Sequence, residues 1–199
     1  MSRDENPPFG RGETFFQGDT ANATDGAELE GKEWVFEDKS PTDRTARSNK
    51  YCRCRIVRNT SGIALLPKRI ARFELSAVDY GAQADGYTTT TAAEGFPIDE
   101  YLPAAGVPAN DLFWIVIEGP AVVLTSLSDL TADLAAGAWV VAITAVTSQA
   151  TTAGRVTNND LTGATALLAN QVLNRIGRCL SAKTTQNTNA DLLVEVGKW

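Results

Sequence analysis

The hydrophobic positions change rhythm along the chain. Between Tyr51 and Arg58 they alternate, with Cys52, Cys54 and Ile56 on one set of positions and Arg53 and Arg55 on the other. A period of two is that of a strand with one buried face. Gly62 then turns the chain, and Ile63–Pro67 and Arg69–Leu75 follow as shorter strand candidates, with Pro67 marking a break or an edge. Asp111–Glu118 and Ala121–Ser126 are rich in β-branched and aromatic residues, and Gly119-Pro120 between them predicts a hairpin. Ala138–Val146 is apolar enough for a strand buried on both faces. In Asn159–Asn174 the rhythm becomes helical, with Leu161, Ala164, Leu168 and Val172 on one face and Asn159 or Asp160 as cap. A final hairpin is predicted from Gly177–Thr184 and Asp191–Val196, joined by a polar turn at Gln186–Asn189.

The remaining segments carry little pattern. Residues 1–27 are polar and poor in aliphatic side chains, which predicts an extended or disordered arm. Phe15 and Phe16 interrupt it, and serve either as an anchor for a partner or as a contact with the chain's own domain. A short strand is expected at Glu33–Glu37, around Trp34, Val35 and Phe36, followed by a polar connector to Lys50. Residues 76–110, with the threonine run Thr88–Thr91 and several prolines and glycines, read as a long loop of the kind that forms interaction surfaces. The expected organisation is an extended arm over 1–50, then a mainly β domain over 51–199. That domain is a small β-sandwich or barrel with one short helix.

Composition narrows the function. Hydrophobic residues are 43% of the chain, enough for a real core. The net charge is -6, unfavourable for a general nucleic-acid binder and for anionic membrane surfaces. No apolar run approaches the roughly 20 residues that span a bilayer. No secretory signal is read at the amino end. Histidine is absent. That removes Ser-His-Asp and Cys-His catalysis and most zinc sites, while leaving carboxylate, lysine and Mg²⁺ chemistry open. Cys52, Cys54 and Cys179 are read as small buried hydrophobes in a reducing compartment. No phosphate-cradling glycine motif occurs. Asn22 and Asn59 begin matches to the glycosylation pattern, read as chance. The carboxylate pairs Asp99-Glu100 and Asp129/Asp133 read as turn or surface residues rather than as a catalytic pair. The expectation is a non-enzymatic protein with no cofactor and no metal.

One charge feature stands out in this acidic chain. Arg44, Arg47, Lys50, Arg53, Arg55, Arg58, Lys68, Arg69 and Arg72 form a basic series. Three readings remain open: a solvated face with ion pairs to Glu28–Asp38, a docking surface for an acidic protein, or a nucleic-acid site. Of the tryptophans, Trp114 and Trp139 lie in apolar strands and are expected in the core. Trp34 and Trp199 are better placed for a partner.

From Glu118 onward, the order of short segments resembles a known family. Glu118–Val123 (EGPAVV), Ala135–Ala142 (AAGAWVVA), Thr152–Thr157 (TAGRVT), an Ala-rich segment, Ile176–Ala182 (IGRCLSA) and Leu192–Gly197 (LLVEVG) follow one another. This is similar to the small β-rich proteins that decorate or cement the capsids of tailed bacteriophages. The resemblance spans roughly residues 110–197. It implies a structural virion protein on the outer capsid surface, made in the host bacterial cytoplasm. It further implies contact with the major capsid protein and a homo-oligomer, most often a trimer, with no catalytic residues. The expected partner interface comprises Phe15, Phe16, Trp34, Phe36, Arg44, Arg47, Arg53, Arg55 and Trp199. The alternative is a head-fibre or carbohydrate-binding module for host attachment, which predicts an exposed aromatic platform within Tyr80–Tyr101.

Overall fold

The computed structural model describes residues 7–15, 26–74, 79, 81–88, 95–125, 134–142, 154–158, 175–182 and 190–197. Among the described residues the ten strands are β1 (Glu33–Lys39), β2 (Ala46–Asn59), β3 (Ile70–Phe73), β4 (Gln83–Tyr87), β5 (Gly95–Pro97), β6 (Leu112–Leu124), β7 (Trp139–Ala142), β8 (Val156–Asn158), β9 (Arg175–Cys179) and β10 (Asp191–Val196). Their order is β5-β3-β4-β2-β6-β10-β9-β7-β8, in a nearly closed, barrel-shaped sheet, with β1 paired to β2. The protein is therefore mainly β, as the alternating and β-branched segments require. The one helical element among the described residues is a 3₁₀ turn at Ala27–Leu29. The helix expected over Asn159–Asn174 lies outside the described residues.

β2 and β6 organise the core. They run antiparallel, with Ile56 opposite Trp114 and Val57 opposite Phe113. β6 is buried on both faces. Leu112, Trp114 and Val116 enter one apolar cluster with Cys52, Cys54, Ile56, Val123, Val140, Leu192 and Val194. Phe113, Ile115 and Ile117 enter a second, with Val57, Leu65, Ala71, Phe73 and Ile98. Successive strand residues point to opposite faces, so one strand can serve two cores. Trp114 is the centre of the first cluster. Its ring meets Phe9 at 5.1 Å, Trp34 at 5.6 Å and Phe36 at 5.2 Å between centroids.

Three expectations are corrected. Gly119-Pro120 is not a hairpin turn but the middle of β6, which continues to Leu124. The β2–β6 register slips between Arg53 and Cys54, and Gly119 there has φ +93°. The bend lets β6 leave β2 and pair instead with β10, from Gly119 opposite Val196 to Leu124 opposite Asp191. Pro120 falls just past the last β2–β6 pair, where a ladder bond to β2 is no longer required. Gly119→Ala is expected to destabilise the protein by about 3 kcal/mol, because positive φ strain adds to a clash of the new Cβ with the Tyr51 carbonyl. Urea denaturation checks it, with a shifted midpoint and an unchanged slope as the expected result.

The second correction concerns residues 76–110. They are not one loop, since β4 and β5 fall within them. These strands escape the eye because they are short and interrupted by Gly86 (φ +148°) and Pro97. The third concerns the arm. The expected boundary at residue 50 falls inside β2, which runs unbroken from Ala46 to Asn59, and β1 adds to the same sheet. The amino-terminal segment also lies on the domain. Phe9 is buried, its carbonyl accepts a hydrogen bond from the Trp114 indole (3.3 Å), and Phe15 exchanges two backbone hydrogen bonds with Leu112. A stretch this short shows no periodicity of its own. Its partners lie about a hundred residues away in sequence, so its docking leaves no local signal.

Candidate functional site

The amino-terminal segment, β1, the β1–β2 turn and Asp99–Tyr101 converge on one cluster of charged groups. Arg11 binds Asp99 through two hydrogen bonds, Nε–Oδ2 at 2.7 Å and Nη2–Oδ1 at 2.9 Å. Both side chains are buried, Asp99 completely. Burial pushes the Asp99 carboxyl above the ordinary carboxylate range, against the pull of Arg11. Arg47 holds two further carboxylates: Nη2 lies 2.6 Å from Asp38 Oδ1, and Nη1 lies 2.8 Å from Glu100 Oε1. Burial likewise raises the Glu100 carboxyl. The Ser48 hydroxyl donates to the remaining Asp38 oxygen at 2.7 Å. The adjacent carboxylates Asp99 and Glu100 thus each face a guanidinium.

Aromatic rings complete the cluster. The Arg11 guanidinium lies 4.3 Å from the Tyr101 ring centroid and 5.6 Å from that of Phe36. Arg44 approaches the same Tyr101 ring at 5.4 Å. The Tyr101 hydroxyl donates to the Lys39 carbonyl, tying the cluster to the end of β1. Between these groups lies an open pocket of about 470 Å³, lined by Arg11, Val35, Phe36, Glu37, Lys39, Arg44 and Tyr101.

The turn that presents Arg44 is built locally. Ser40 and Thr45 are joined by a backbone hydrogen bond of 2.9 Å, and Asp43 accepts from both the amide and the hydroxyl of Thr45. A hydrogen bond from Ser40, together with the two from Thr45, lowers the Asp43 carboxyl below its ordinary value. Arg44 itself adopts φ +61°, a left-handed conformation unusual for a residue with a side chain.

The expected interface residues are distributed as follows. Phe36 and Trp34 are half-buried against Trp114 and belong to the core's edge. Phe15 is partly exposed and packs near Phe9, 6.0 Å between rings. Arg47 is committed to Asp38 and Glu100. Arg53 reaches Glu118 (2.9 Å) and Glu33 (3.7 Å), and Arg55 binds Glu33 at 2.6 Å. Phe16 and Trp199 lie outside the described residues. Of the rest of the basic series, Lys50 pairs with Glu195, Arg58 with Glu30, Lys68 with Asp191 and Arg72 with Asp85, while Arg69 lies over the Tyr87 ring at 5.1 Å. Of the three readings left open by the sequence, ion pairing accounts for most of the series. Arg44 makes the ring contact with Tyr101 and, among the described residues, no ion pair.

Other candidates resolve similarly. Cys52, Cys54 and Cys179 are free and buried, and burial pushes the Cys52 and Cys179 thiols up to about 11. Among the described residues no group of three metal-ligating side chains comes together. Asn59 is fully buried and donates to the Ile63, Val107 and Pro108 carbonyls, so its match to a glycosylation acceptor is fortuitous. Trp139, expected in the core, is half-buried, with the guanidinium groups of Arg175 and Arg178 at 4.7 and 4.4 Å from its ring. Within the Tyr80–Tyr101 stretch, Tyr87 is buried and Tyr101 lies beneath two guanidinium groups. Tyr80 lies outside the described residues.

Sequence reasoning missed Arg11 and Tyr101. Neither sits in a motif, and only their pairing across the fold gives them a role. No protein-family model and no curated protein matches the chain.

Proposed function

We propose that this chain is a structural virion protein. It binds the outer surface of a phage capsid and cements contacts between major capsid protein subunits. One observation carries the reading. The described parts of the segments that resemble decoration proteins do not scatter. EGPAVV lies in β6, AAGAWVVA leads into β7, TAGRVT into β8, IGRCLSA starts in β9 and LLVEVG makes up most of β10, and these five strands are contiguous as β6-β10-β9-β7-β8. Segments that follow one another in sequence and also share one continuous sheet behave as a structural unit.

The site's chemistry is compatible with a mechanical role. Its buried carboxylates are neutralised by arginines and hold the amino-terminal segment in place. On a shell, many identical contacts act together, so modest affinity per copy is sufficient. The shell gains resistance to the pressure of the packed genome. In this reading the protein performs no chemistry, binds no cofactor, and assembles with itself on the capsid.

The test is add-back. Purified shells lacking this protein rupture at a lower temperature than complete ones, and adding the protein restores the difference. A rupture temperature unchanged by saturating protein refutes the cement role.

A further inference from the structure

Among the described residues, β1 has one strand partner, β2, and its other edge is open. The orientation of its backbone follows from the register. The Ile56 amide donates to the Lys32 carbonyl at 2.9 Å, so position 32 faces β2. In an antiparallel pair the facing alternates, which turns Trp34 and Phe36 toward β2 and Glu33, Val35 and Glu37 toward the open edge. The side chains of these three outward residues are solvent-facing, and Val35 is 62% exposed. An exposed edge that carries an apolar residue is a template for another strand.

The pocket described above opens along this edge. Its charged groups sum to neutral, four cations against four carboxylates, and all but one of them are in ion pairs. Arg11 is matched by Asp99, Arg47 by Asp38 and Glu100, and Lys39 by Glu37 at 2.5 Å. The acidic side chains on β1 are also neutralised, Glu33 by Arg55 and Glu37 by Lys39. Arg44 is the one that, among the described residues, makes no ion pair: it is exposed, in a left-handed backbone conformation, beside a ring that it shares with a second guanidinium. The Arg44 guanidinium donors face solvent and are open to an incoming carboxylate.

We infer that β1 and this pocket form a docking site for an extended, carboxylate-bearing peptide segment of another protein. The segment adds as a strand to the β1 edge, using the outward backbone groups of Glu33, Val35 and Glu37. Its Asp or Glu side chain enters the pocket and pairs with Arg44, while its apolar neighbours cover Val35. A planar carboxylate suits a guanidinium through two parallel hydrogen bonds. The inference rests on the β1 geometry, and it stands or falls independently of the capsid reading.

The test uses the full chain and four fluorescein-labelled octapeptides of alternating Val and Thr. Each carries one Glu, placed at successive positions. Binding is followed by anisotropy and by shifts of amide resonances. At least one peptide is expected to bind saturably, and its Glu-to-Gln version to bind about tenfold more weakly, the loss of one charge-assisted hydrogen bond. R44A produces the same loss, while Arg44→Lys retains part of the affinity. V35P, which removes an outward-facing amide but no bond to β2, abolishes binding while melting close to the parent protein. The inference is overturned by any of three results. No peptide binds; the Gln peptide or R44A binds as tightly as the parent pair; or V35P only disrupts association of the chain with itself, which makes a second copy the occupant.

Discussion

Replacing Asp99 with alanine is expected to cost about 4 kcal/mol, because it strands the Arg11 guanidinium, buried and charged, without its counter-ion. For a chain of this size that lowers the melting temperature by about 8–16 °C. The pair need not stabilise the fold relative to a hydrophobic one. Moving two charges out of water is costly, and well-packed apolar residues of similar volume often do as well. The double variant Arg11→Met with Asp99→Leu is therefore expected to recover most of the lost stability, although each single change is harmful. Calorimetry of the three variants distinguishes the cases. If Asp99→Ala melts within about 2 °C of the parent, the amino-terminal segment is not held by this pair. The cost has a structural origin: Arg11 is the one strong polar tie between residues 7–15 and the distant Asp99.

Trp114→Ala is the second large effect, expected at about 4 kcal/mol. The indole is fully buried and touches three aromatic rings supplied by the amino-terminal segment and β1. Its removal opens a cavity that β6, held to β2 along this half and to β10 beyond it, cannot collapse to fill. It also strands the Phe9 carbonyl, which loses its indole donor. Trp114→Phe keeps most of the packing and is expected to cost less than half as much. Denaturant titration of both variants checks the ratio. Equal losses would assign the effect to the hydrogen bond rather than to the packing.

The parts of this fold that were legible in the sequence are those where one strand builds its own pattern. β2 announced itself by Cys52, Cys54 and Ile56 alternating with arginines, and these three residues are buried as the alternation requires. β6 was legible as strand, but its continuity was not. Gly119-Pro120 looks the same in a turn and in a bend that transfers a strand between partners, and only β10 decides between them. β4 and β5 were hidden because five and three residues are too few for a period to emerge. The basic series was visible, yet its meaning lay in partners such as Glu33, Glu118 and Glu195, which the fold brings from three different strands. The candidate site was the least legible part. Arg44 stood within the series without distinction. Arg11, buried in what reads as a polar tail, and Tyr101, in what reads as a loop, acquire their roles only when the tail folds back.

The virion role is tested most directly by co-sedimentation of the purified protein with empty capsid shells that lack it, measured as bound copies per major capsid subunit against protein concentration. The proposal predicts saturation at a fixed, simple ratio set by the symmetry of the shell. No co-sedimentation, or binding that rises without saturating, would contradict it.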